Sequence, residues 1–201
     1  MNRTLAVFDV DRTLIRGDSL WPFLVYVAGL PRALLALAEA SVLFLLQHWR
    51  GKNDPTPDDP RTFIKAHLLR RLLAGRKVDQ LTSAIEKLHA WRRWNEPMRK
   101  TLFDHAAEGR QIVIASGALD LYLPALLGNL PAHVLLCTDM ETKDGIITGV
   151  MRSGNCVRAR KAEMLAAYLA ENGPFEESWG YGNFPHDVPM LNLLNHRVIV
   201  S

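Results

Sequence analysis

Leu5-Ala6-Val7-Phe8-Asp9-Val10-Asp11-Arg12-Thr13-Leu14-Ile15 is the stretch on which the fold turns. An apolar run of strand length passes straight into two carboxylates one residue apart. Both acids then fall at the carboxyl end of the strand, where open α/β sheets keep their ligands. Taken alone, the Asp9-x-Asp11 pair fits better a strand that ends in a turn, with one Asp capping the helix that follows. The residues downstream decide between the two.

With 201 residues, 48% of them apolar, the chain can build one substantial core and a smaller second lobe. A net charge of +3 and a pI near 9.0 suit an anionic substrate or a membrane surface. No dense Lys/Arg block argues for nucleic acid, so none is expected as a partner. Cys137 and Cys156 have neither C-x-x-C nor zinc-type spacing, and the first strand begins almost at Met1, leaving no room for a secretory signal. A reducing, cytoplasmic setting is the expectation.

After the first motif the chain turns helical. Asp18-Ser19-Leu20-Trp21-Pro22 reads as a helix start, because Asp or Ser can cap free amides and Pro is tolerated in a first turn. Residues 33–49 are apolar on nearly every face, broken only by Glu39, Ser41, Gln47 and His48. That run is shorter than the roughly 20 residues of a membrane span. We read it first as a buried helix, then as a membrane-surface contact flanked by Trp49 and Arg50, and last as a true span. Residues 51–60 (GKNDPTPDDP) read as a loop, and 62–74 and 78–94 as helices separated by Gly75. Residues 18–89 thus form a helical insert.

Alternation of helix and strand then resumes. Residues 98–108 predict a helix stopped by Gly109, and 111–115 a buried strand leading into Ser116-Gly117 and a helix from Leu119. A hydroxyl and a glycine amide at a helix start make a phosphate seat. Lys143-Asp144-Gly145 lies between β-rich arms as a hairpin turn. Lys161 opens a further helix, and Ser178-Trp179-Gly180-Tyr181-Gly182 is a strand ending in Asn183-Phe184-Pro185-His186-Asp187.

Asp9-x-Asp11-x-Thr13-Leu14, Ser116-Gly117, Lys161 and Gly182-Asn183-x-x-x-Asp187 follow one another in an order that resembles the haloacid dehalogenase superfamily, in its phosphoserine-phosphatase-like branch. The resemblance implies an α/β fold: a Rossmann-like parallel sheet core, residues 1–17 and 90–201, with an α-helical cap, residues 18–89, inserted between the first two motifs. It also implies Mg²⁺-dependent hydrolysis of a phosphomonoester through an aspartyl phosphate. Asp9 would attack phosphorus, and Asp11 would protonate the leaving alkoxide and then activate water. Lys161 would offset the charge of the phosphoryl dianion. Thr13, Ser116 and Gly117 would seat it, and Asp18 would grip a substrate amino group. Asp9, the Asp11 carbonyl, Asn183 and a water on Asp187 would hold the metal.

One departure bears on the chemistry. Asn183 stands where that family usually has a directly ligating Asp, which removes one negative charge and predicts weaker Mg²⁺ affinity. The substrate is expected to be a small phosphomonoester such as phosphoserine or a lipid phosphate, since the apolar insert is similar to the cap of phosphatidylglycerophosphate phosphatases. The alternative is a weakly active or inactive module that binds phosphorylated ligands.

Overall fold

In the computed structural model residues 3–50 and 59–200 are described, so residues 51–58 of the expected 51–60 loop lie outside them. The chain divides into two compact units. One comprises Met1–Ser19, His89–Asp139 and Ser153–Ser201, and the other Leu20–Leu88 and Met140–Arg152.

The first unit is built on a five-stranded sheet in the order β3-β2-β1-β6-β7, its neighbours all parallel. These strands are β1 Thr4–Phe8, β2 Gln111–Leu119, β3 Val134–Thr138, β6 Glu177–Asn183 and β7 His196–Val200. β1 is central, with Leu5 opposite Gln111 on one side and Ser178 on the other. A parallel strand covered on both faces must be apolar throughout, and Leu5, Ala6, Val7 and Phe8 are all fully buried. On one face Leu5 and Val7 join Val113, Ala115, Leu165, Met190, Leu191 and Leu194. On the other, Phe8 stacks on Tyr181 with ring centroids 4.5 Å apart. The helices of this unit are α5 Glu96–Ala107, α6 Leu123–Leu127, α7 Arg158–Asn172 and α8 Val188–Leu191.

The second unit holds α1 Leu20–Ala28, α2 Leu30–Arg50, α3 Pro60–Leu73, a 3₁₀ turn Val78–Leu81 and most of α4 Thr82–Trp91. It also takes in the hairpin β4 Met140–Lys143 and β5 Ile146–Met151, which the division by sequence leaves with the core. Asp144 and Gly145 both have positive φ, 51° and 74°, as a tight two-residue hairpin turn demands. Gly149 lets β5 press on α3, since a Cβ there would stand 2.7 Å from Arg70 Cα. The helix expected over 78–94 ends at Trp91. Trp94 instead bridges to Ile15 and the Asn95 amide donates to the Leu14 carbonyl, pulling this segment out of helical register.

The expectation of a buried helix over 33–49 is corrected. Only 17% of Leu30–Gln47 is buried. Ala33, Ala36 and Ala40 form the packed side at helical spacing, while Leu34, Leu35, Val42, Leu45 and Trp49 (89% exposed) face outward. Small residues pack closely against the neighbouring helices, and the large apolar ones are left over. By length and hydropathy this stretch could also cross a membrane. Glu39 in its middle is met within the unit by Arg71 at 3.1 Å.

Candidate active site

Asp9 is the first residue beyond β1, its amide bonded to the Tyr181 carbonyl of the adjoining strand at 2.9 Å. The chain then turns tightly, the amides of Thr13 and Ile15 both donating to the Val10 carbonyl. Arg12 adopts a left-handed φ of 62°, the conformation glycine takes at no cost. The turn brings the Thr13 hydroxyl to Asp9 Oδ2 at 2.9 Å.

Lys161 lies in the first turns of α7 and is only 3% exposed. α7 leads into the start of β6, so its own beginning sits at the carboxyl edge of the sheet, beside Asp9. Lys161 Nζ donates to Asp9 Oδ1 at 2.7 Å and to Asp187 Oδ1 at 2.6 Å. Burial works against its charge, but the two carboxylates outweigh it and its pKa is raised. Asp9 is also raised, first by burial and then by the Asp187 charge, with Lys161 and Thr13 opposing. Asp187 precedes α8 without capping it: its second oxygen accepts the Asn183 amide at 2.8 Å.

Asp11 is half-buried, and its Oδ1 accepts the Ser19 amide at 2.9 Å. Burial, followed by the charges of Asp18 and Asp9, pushes its carboxyl up to about 7, against hydrogen bonds from the Ser19 amide and hydroxyl. Two neighbouring acids are therefore set apart in character, one ion-paired and the other poised near neutrality. Asp18 itself is exposed.

The Asn183 side-chain amide reaches both Asp9 Oδ2 and the Asp11 carbonyl, each 3.2 Å from Nδ2. These two oxygens converge on one amide group, and exchanging its nitrogen for its oxygen would align three hard oxygen donors, the set Mg²⁺ prefers. The residues thus fit the ion. Among the described residues no three His, Cys, Asp or Glu side chains form a metal cluster.

The second motif differs from its expected form. β2 continues through Ser116 and Gly117 to Leu119, and α6 begins only at Leu123. β2 shifts register against β3 between Ser116 and Leu119, and with the next helix starting only at Leu123 no helix start offers its amides at this point. The Ser116 hydroxyl accepts the Ala118 amide at 3.1 Å. Gly117 is required by close approach, since a Cβ would stand 2.8 Å from Val157 Cγ1. The Thr138 hydroxyl donates to the Gly117 carbonyl at 3.1 Å and accepts the Cys156 amide at the same distance, fixing both loops. Sequence reasoning missed Thr138 and also Tyr122, whose hydroxyl lies 3.0 Å from Ser19 Oγ. No local pattern could have paired residues 103 positions apart.

A family model for haloacid dehalogenase-like hydrolases matches residues 6–192, nearly the whole chain. The chain belongs to that family. Its membership makes it a haloacid dehalogenase-like (HAD) hydrolase, and the resemblance carried by the motif order is borne out. It is 29% identical over 213 aligned residues to a probable phosphatase of Mycobacterium tuberculosis, covering 99% of this chain and 69% of that protein. To a histidinol-phosphatase of Neisseria meningitidis serogroup C it is 26% identical over 209, covering 99% and 90%. A solved structure of a protein of unknown function from Bordetella pertussis Tohama I superposes with a TM-score of 0.74 at 23% identity, covering 99% of this chain and 90% of that one. A phosphoserine phosphatase solved as a phospho-aspartyl intermediate analogue gives 0.62 at 15%, covering 99% and 87%. The α/β fold with its parallel sheet is thereby shared with HAD phosphatases.

Proposed function

We propose that this enzyme hydrolyses phosphomonoesters with Mg²⁺, through an aspartyl phosphate formed on Asp9. The observation that carries the reading is the buried Asp9–Lys161–Asp187 ion triad beside an Asp11 carboxyl held near neutrality. A dianionic phosphoryl group repels a carboxylate nucleophile, so the attack requires cations and oriented donors. Lys161 supplies one fixed charge. Asp9, the Asp11 carbonyl, Asn183 and Asp187 would hold Mg²⁺, which adds the rest of the positive charge when bound.

Thr13 fixes the Asp9 carboxylate through Oδ2, and Lys161 holds Oδ1. As Asp9 bonds to phosphorus, the ester P–O bond breaks and protonated Asp11 delivers its proton to the leaving oxygen. The ionised Asp11 then takes a proton from the water that hydrolyses the acyl phosphate, and Asp9 is released. A pKa of about 7 serves both halves of this cycle. Ser116 and the Gly117 amide bind phosphoryl oxygens. Asp18 receives a substrate amino group, a feature that phosphoserine and histidinol phosphate share.

A second reading of the substrate is favoured by α2. Its exposed apolar face belongs to a unit with twelve Lys and Arg against eight Asp and Glu, whereas the sheet unit has twelve against thirteen. An apolar face on a basic unit suits an anionic membrane surface and a lipid phosphate, with a cytoplasmic enzyme held peripherally. The test is phosphate release from p-nitrophenyl phosphate, phosphoserine, histidinol phosphate and phosphatidylglycerophosphate vesicles with Mg²⁺. Asp9→Asn must abolish all turnover, and retained activity in that variant sinks the mechanism. Binding without turnover by the wild-type protein would leave the phosphate-binding module as the correct reading.

A further inference from the structure

Asp11 stands in the long connection from β1 to α1 and, as a half-buried carboxyl, needs something to aim it. Ser19 does so with its backbone amide, 2.9 Å from Oδ1. The Ser19 hydroxyl is held in turn by Tyr122, whose Oη lies 3.0 Å from Ser19 Oγ. Ser19 and Tyr122 are both fully buried. Tyr122 is itself rigidly placed, its amide bonded to the Leu119 carbonyl at 3.1 Å and its carbonyl accepting the Leu126 amide at 2.9 Å. Burial, with the nearby Asp11 charge next, keeps its phenol protonated and hence able to donate. Ser19 is also the last residue of the sheet unit before the chain passes into the helical one at Leu20.

We propose that Tyr122 and Ser19 form a positioning relay for the Asp11 carboxyl: Tyr122 orients the Ser19 hydroxyl, and Ser19 aims Asp11 at the leaving-group oxygen. With Oδ1 occupied by Ser19, Oδ2 carries the proton that passes to the alkoxide as the P–O bond breaks. The inference rests on the reading of Asp11 as general acid. A buried Tyr–Ser hydrogen bond can also serve packing alone, so the test needs a readout that packing does not move.

Leaving-group chemistry provides it. β-Glycerophosphate expels a basic alkoxide that needs the proton, whereas p-nitrophenyl phosphate expels a stable phenolate that does not. In Tyr122→Phe, kcat/KM for β-glycerophosphate should fall about tenfold further than for p-nitrophenyl phosphate, because small misplacements of a reacting group cost rate steeply. Ser19→Ala, which keeps the backbone amide, should show the same selective loss, and Ser19→Thr should restore it. Should Tyr122→Phe fail to fold, Ser19→Ala carries the same comparison. Equal losses on both probes, or none on either, overturn the relay while leaving the proposed function intact. A wild-type protein that turns over neither probe overturns both together.

Discussion

Lys161 Nζ lies 2.7 Å from Asp9 Oδ1, an ion pair sealed from solvent on both sides. Asp187 shares the ammonium, so a single cation balances two buried carboxylates. Removing it in Lys161→Met leaves that charge uncompensated, which costs about 3–5 kcal/mol for a buried pair. Urea denaturation of the metal-free variant at pH 7.5 should show the loss. The deficit should shrink as pH falls and the raised Asp9 carboxyl takes up a proton. An unchanged midpoint at pH 7.5 would mean that the ammonium does not balance the acids.

Asn183 contributes an amide where it touches Asp9 Oδ2 and the Asp11 carbonyl. A neutral oxygen binds Mg²⁺ less strongly than a carboxylate, so Asn183→Asp should lower the Mg²⁺ concentration for half-maximal activity about tenfold. The same substitution sets a third acid against Asp9 and Asp187, so the metal-free protein should melt at a lower temperature than wild type. A variant requiring as much Mg²⁺ as wild type would show that Asn183 is not a ligand.

His105 ties helix α5 to β6 away from these acids. Its Nε2 is 2.8 Å from the Tyr181 hydroxyl, and its Nδ1 accepts from Arg110 at 2.7 Å. Burial, followed by the Arg110 charge, lowers its pKa, with Glu108 and Asp104 opposing. The unfolded chain therefore binds a proton near the ordinary value of about 6.5 while the native state still refuses it. Stability from this residue is complete above that pH and is lost as pH falls through it. Melting temperatures of wild type and His105→Gln should accordingly converge between pH 7.5 and 5.5; parallel curves would remove His105 as the cause.

Much of this architecture could be read from the chain because it rests on local patterns. Leu5 to Phe8 had to be a doubly covered strand, and four short motifs in fixed order identified the family. What escaped was set by tertiary packing. Nothing in Ser116-Gly117 itself shows that β2 would continue past it, because the register shift depends on β3. The Tyr122–Ser19 contact spans 103 residues and leaves no periodic trace. For α2 the apolar pattern ran all the way round, so hydropathy could not say which side would pack. Residue size decided it, with Ala33, Ala36 and Ala40 inward and the leucines outward.

That outward face gives the sharpest expectation about the substrate. Leu35, Val42, Leu45 and Trp49 are exposed on α2, and burying such side chains in lipid is worth roughly 1.5–3 kcal/mol each. Vesicles containing anionic lipid should sediment the protein, and added salt should weaken the binding because the helical unit is basic. The double variant Leu35→Asp with Leu45→Asp should reduce binding more than tenfold. Neither residue belongs to the sheet unit that carries the acids, so turnover of soluble p-nitrophenyl phosphate should stay within twofold of wild type. Sedimentation equal in wild type and variant would rule out this face as the membrane contact. No sedimentation of wild type at all would leave a small soluble phosphomonoester as the substrate.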